Sequence, residues 1–167
     1  IEQFQPGHDR RSSHGESRAI RLGYSEHPSY VPLVRSAFAN WRDLESLTGE
    51  TVLTTTGILE AGRPGSRMVQ GSLDACLLHG LDHEVLDAGE IMRRFPAVVL
   101  PADYSGIWQH EGGFVHADRA NALHLKGARE AGASVMADSR ALAVEPGRDS
   151  VRIVGEAGVV EAASVVV

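Results

Sequence analysis

The stretch ADRANALHLKGAREAGASVM, residues 117 to 136, limits the folds open to this chain more than any other. Ala120 and Leu123 fall on one helical face, Gly132 stops the helix, and Val135 opens an apolar segment that reads as a strand. Helix, glycine, strand is the rhythm of a βαβ crossover, the connection that parallel strands require. The tail RALAVEPGRDSVRIVGEAGVVEAASVVV follows another pattern: two alternating segments flank GEAG and predict a small antiparallel meander. Its closing VVV predicts a return to a buried, parallel strand.

Upstream, Val34, Phe38, Trp41 and Leu44 recur at steps of three and four, so residues 28–48 predict an amphipathic helix that Gly49 ends. TVLTTTGILEAG is rich in β-branched residues and predicts a strand or a tight strand pair. RMVQGSLDACLLHG predicts a second helix, with Gly71 inside it. In DAGEIMRRFP, Asp87 stands three residues ahead of Glu90, a capping pattern for a short helix that Pro96 must end. YSGIWQHEGGFVHA predicts two short strands around Gly112 and Gly113.

A chain of 167 residues with 43% hydrophobic content can bury the core of one ordinary domain. The formal charge of -6 leaves no basic excess to displace counterions from phosphates, which argues against a general nucleic-acid binder. Cys76 has no second cysteine to pair with, so a reducing compartment, the cytoplasm, is expected. Neither a membrane span nor a leader is expected, and the two ends read as those of a fragment.

Chemistry is concentrated in SSHGESRAIR, residues 12 to 21. Small donors, Ser12, Ser13, His14 and Ser17, precede Arg18 and Arg21, which stand three residues apart on what reads as a turn or early helix. There the two guanidinium groups either face water or converge on one anionic ligand, since a guanidinium grips a carboxylate through two parallel hydrogen bonds. Glu2 is open to two readings: a surface acid, or the residue that closes the second strand of a dinucleotide-binding unit and accepts hydrogen bonds from a ribose. His79 and His83 have helical spacing but enclose Gly80 and lack a third ligand, so no metal is expected. Cys76, among Ala75, Leu77 and Leu78, reads as a structural thiol. No G-x-G-x-x-G, Walker A or G-x-S-x-G motif occurs in the chain.

SHGESRAIRLGY at 13–24 and YVPLVRSAFANW at 30–41 resemble the monomeric sarcosine oxidase and N-methyltryptophan oxidase family of FAD-dependent amine oxidoreductases. The resemblance runs at lower specificity through most of the chain. It implies an α/β FAD-binding fold of the glutathione-reductase type with an inserted α+β substrate domain, seen in part. The FAD-binding portions are then expected at 1–49 and 113–167 and the substrate-domain portion at 50–112. It also implies that Glu2 meets the ribose, that Ser12 and Ser13 lie along the diphosphate, and that His14, Ser17 and Arg18 sit near the flavin. Ala141 would offer its backbone to the adenine end. Arg21, with Tyr24 beside it, would hold the substrate carboxylate, leaving Arg18 and Arg21 as the catalytic cations. The implied activity is oxidation of a secondary amine such as an N-methyl amino acid, with oxygen as acceptor. Family members often carry two histidines where this chain has Ser13 and His14, and an isoleucine where it has Ala19. A nicotinamide-dependent dehydrogenase and a non-catalytic anion- or dinucleotide-binding module are the alternatives.

Overall fold

The computed structural model describes residues 1–10 and 12–166. Its contacts gather into two compact units, one of Ile1–Gly15 with Asp118–Val167 and one of Glu16–Ala117.

Two three-stranded antiparallel sheets make up the strand content of the Glu16–Ala117 unit. In the first, β1 (Arg18–Ile20) and β2 (Leu53–Thr55) flank β6 (Gly113–Val115). In the second, β3 (Ile58–Gly62) and β4 (Glu84–Asp87) flank β5 (Ser105–Gln109). TVLTTTGILEAG therefore yields two strands, but they do not pair with each other. The chain changes sheet at Gly57, whose φ is +72° and where a Cβ would lie 2.1 Å from the Trp108 ring. Only glycine satisfies both conditions.

Three helices cover these sheets. The expected amphipathic helix is α1 (Tyr30–Thr48), ending at Gly49. Its stripe of Val34, Phe38, Trp41 and Leu44 is half-buried, while Val31 at its start is fully buried. Glu45 Oε1 accepts from the backbone N–H groups of Val52 and Leu53, both at 2.8 Å, and so ties the helix end to the entry of β2. α2 (Arg67–His79) begins where the Ser66 side chain caps Val69 N. α3 (Ala88–Arg94) begins where Asp87 Oδ1 accepts from Glu90 N at 2.8 Å, the capping bond its sequence predicts. Leu22, Val31, Val69, Ala75, Cys76, Leu81 and Ile107 form the buried apolar cluster between α1, α2 and β5. No helix among the described residues is long and apolar enough to cross a membrane.

In the other unit, α4 (Ala117–Glu130) is followed by the meander β7 (Ala141–Pro146), β8 (Val151–Gly155) and β9 (Gly158–Ala162), with the β8–β9 hairpin turning through GEAG as expected. Two expectations fail here. Val135 lies in no regular strand; beside it, Met136 O accepts from Glu2 N at 2.8 Å and Ser139 N donates to Glu2 O at 3.0 Å. Those bonds do not make a ladder, so helix and glycine form without the crossover's second strand. Likewise, Val165 and Val166 form no strand, and Val166 is 99% exposed, since none of the described segments pairs with them; Val167 lies outside the described residues.

Candidate functional site

The arginine stretch is extended, in contrast to the expected turn or early helix. Arg18 opens β1 opposite Val115, and Ile20 closes it opposite Gly113. Pairing with β6 decides this, a long-range contact that outweighs any local helical preference. Side chains alternate along a strand, so helical spacing no longer brings the two guanidiniums together. Arg18 is exposed, and its Nη1 donates to Ser17 O at 3.0 Å.

Arg21 leaves the strand with its side chain only 20% exposed. Its guanidinium carbon sits 4.5 Å from the centre of the Tyr24 ring, which in turn packs 5.2 Å from that of Tyr30. Two carboxylates attend it. Glu26, 54% exposed, approaches Nη2 at 3.3 Å. Glu60, 8% exposed on β3, brings Oε1 within 2.9 Å of Nε, close enough for an ion pair yet out of line for a hydrogen bond. Burial pushes the Glu60 carboxyl above the usual carboxylate range, opposed by a hydrogen bond from Ser72 and the charge of Arg21.

Behind Arg21 runs a chain of buried polar groups. Gly23 N donates to Gln109 Oε1 at 2.7 Å, and Gln109 Nε2 donates to Ser72 Oγ at 3.2 Å. Ser72 also favours the charged form of Glu60. A Cβ on Gly23 would lie 2.7 Å from Cys76 Sγ and 2.8 Å from Gln109 Nε2, so the turn fits only without a side chain there. Cys76 is fully buried, and its surroundings together with Glu60 push the thiol up to about 11, as suits a structural cysteine. Sequence reasoning missed Glu60, Ser72 and Gln109. A signal was present for the first: Glu60 interrupts the otherwise apolar strand ILEAG.

The remaining candidates belong to the other unit, apart from Ser17, whose backbone oxygen already holds Arg18. Glu2, held through its backbone as above, accepts from Phe4 N with Oε1 at 3.0 Å and faces His8 Nε2 at 3.5 Å. Its carboxylate borders a cavity of about 300 Å3 whose walls include His8, Asn121, Ala122, Leu125 and Val135. Ser13 Oγ accepts from Asn121 Nδ2 at 3.4 Å, and Gly15 N donates to Asp118 Oδ1 at 3.2 Å, so the loop carrying Ser12, Ser13 and His14 is moored to the first turn of α4. Ala141 begins β7, paired opposite Gly155. Among the described residues, no group of three or more His, Cys, Asp or Glu side chains is placed to hold a metal ion.

Known proteins resemble the chain along its whole length. The profile of the family described as FAD dependent oxidoreductase matches residues 1–167. Monomeric sarcosine oxidase of Streptomyces avermitilis is 39% identical over 153 residues, which cover 92% of this chain and 40% of that protein. N-methyl-L-tryptophan oxidase of Yersinia pestis is 29% identical over 167 residues, all of this chain and 45% of that protein. Among solved structures, the open form of NikD, an amino acid oxidase, superposes with a TM-score of 0.85 at 25% identity, over 96% of this chain and 42% of that one. The chain thus spans less than half the length of each of these proteins, and its α/β architecture is that of part of an FAD-dependent oxidase.

Proposed function

The chain belongs to the FAD dependent oxidoreductase family, and from that premise we propose that the protein to which it contributes oxidises a secondary amine bearing a carboxylate, such as sarcosine or another N-methyl amino acid. The observation that carries this reading is the setting of Arg21. An arginine stacked on Tyr24, mostly shielded from water, is prepared to bind an anion strongly, and one of its two carboxylate partners is exposed enough to be displaced. A substrate carboxylate takes the place of Glu26 at the Nη2 side, while Glu60 stays on its strand. This fixes the substrate by one end and orients its amine and neighbouring carbon.

FAD suits the residues present at Glu2. A carboxylate at the mouth of a largely apolar cavity can accept a ribose hydroxyl while the walls cover a flat ring. The loop of Ser12, Ser13 and His14 would supply further polar contacts to the cofactor, Ser17 and Arg18 would serve its flavin end, and the Ala141 backbone its adenine end. The chemistry FAD would supply there is acceptance of a hydride from the carbon next to the substrate nitrogen, with oxygen as the final acceptor giving hydrogen peroxide and the product imine hydrolysing. Arg18 would contribute a positive charge beside the flavin, which favours acceptance of negative charge there. We assign 1–49 and 113–167 to the FAD-binding portion and 50–112 to the substrate domain, and place the protein in the cytoplasm.

The test is Arg21→Met and Arg21→Lys in the full-length protein. With flavin content unchanged, Arg21→Met lowers kcat/KM for an N-methyl amino acid by about 2–5 kcal/mol, the cost of removing one partner of a shielded charge pair. Arg21→Lys recovers only part, because an ammonium lacks the planar fork. A matching amine without a carboxylate is much less sensitive. Equal loss on both substrates would refute the clamp and transfer the role to Arg18.

A further inference from the structure

Glu60 is the buried charge that this mechanism leaves without a task. Its position is costly: the side chain is 8% exposed, Oε2 has no hydrogen-bond partner, and the strand around it is otherwise apolar. An apolar residue of the same volume would avoid the cost on the strand but leave the shielded Arg21 guanidinium without this partner, so the carboxylate is explained through Arg21. What the carboxylate touches is Arg21 Nε, at 2.9 Å and out of hydrogen-bond alignment, so the attraction rests on its charge. The pairing of β3 with β5 along five residues restrains it, and beside it Ser72 accepts from the Gln109 side chain that also grips Gly23 N. Glu60 thus sits at the arginine's head, while Gln109 fixes the backbone two residues beyond it.

We propose that Glu60 is a positioning residue for substrate: its buried carboxylate holds the Nε side of Arg21 so that the opposite, Nη side meets the carboxylate of an amino-acid substrate. The proposal rests on the reading of Arg21 given above. Glu26 and Glu60 then have separate tasks. Glu26, exposed and next to the Nη2 edge, occupies the place a substrate takes, whereas Glu60 is never displaced.

The experiment uses the full-length flavin-loaded protein and methoxyacetate, a carboxylate without the amine, with binding read from the perturbation of flavin absorbance. Glu60→Gln keeps the shape and removes the charge; Glu60→Met keeps the length with no polar atom. Both are expected to raise the Kd of methoxyacetate and the KM of sarcosine by about ten-fold, with kcat for an amine lacking a carboxylate held within about two-fold. In an Arg21→Met background neither substitution has any further effect on carboxylate binding, a result a merely structural role would not give. Unchanged or tighter methoxyacetate binding in Glu60→Gln overturns the proposal, because Glu60 would then only neutralise Arg21. Loss of flavin or of the folded state in both variants also overturns it, by making Glu60 structural. If Arg21→Met itself leaves carboxylate binding intact, the reading of Arg21 fails; if Arg21→Met weakens binding and the Glu60 variants do not, only the role of Glu60 fails.

Discussion

Arg21 and Glu2 are both charged side chains assigned to a ligand, yet they are held by opposite means. Around Arg21, Glu60, Ser72, Gln109 and the Gly23 backbone form a buried polar chain against an apolar cluster that includes Leu22, Cys76 and Ile107. Around Glu2 the contacts lie near the surface: two backbone bonds to Met136 and Ser139, a local contact with Phe4 N, His8 Nε2 at 3.5 Å, and the more exposed Ser13–Asn121 pair in the neighbouring loop. The contrast follows from what each ligand brings. A small amino acid offers little area, so the protein must pre-order its own cation and accept the stability cost of buried polar groups. A dinucleotide buries a large surface of its own, and its binding can order a loosely held rim.

The contrast breaks most directly at Ile107. Ile107→Ala, at a fully buried position of β5, lowers stability by about 2–5 kcal/mol in thermal unfolding of the full-length protein; a loss near zero would mean that the cluster does not support the turn. Glu2→Ala comes next. It weakens FAD binding by about 1.5–3 kcal/mol, as for a hydrogen bond to a charged group, and leaves the melting of the flavin-free protein almost unmoved. An apoprotein as destabilised as the holoprotein would return Glu2 to an ordinary structural acid. Gln109→Leu sharpens the comparison from the other side: it leaves Gly23 N–H buried without an acceptor and costs about 1–3 kcal/mol of stability. Its mark in kinetics is a higher KM for the carboxylate substrate, and a change in stability alone would uncouple the network from the site.

Elements with a local signature were legible from the sequence. The helix at Tyr30–Thr48 declares itself by its apolar period, the helix after Asp87 by its cap, and the β8–β9 hairpin by alternation around GEAG. Elements that exist through distant partners were not. Arg18–Ile20 is a strand only because Val115 and its neighbours lie beside it, and nothing local says so. Val135 has the apolar character of a strand but no ladder to join, which composition cannot reveal. At the candidate site, the resemblance singled out Arg21 and Tyr24, and the structure stacks one on the other. Glu60 carried a readable sign, an acid amid apolar strand residues. Gln109 and Ser72 are ordinary polar residues whose meaning lies wholly in whom they meet.

The sheet change at Gly57 also bears on how the Glu16–Ala117 unit folds. Thr56 N and Gly57 N both donate to Gly112 O, at 3.2 Å and 2.9 Å, at the point where the chain passes between sheets on both its outward and its return course. Bringing these two crossings together closes one long loop that contains α2, β4 and α3, and the entropy of that closure is spent once for both sheets. Neither sheet is complete before it, since β6 must arrive to join β1 with β2, and β5 to join β3 with β4. Both sheets thus rest on long-range pairing on either side of this crossing, the kind of contact that lengthens the search in folding.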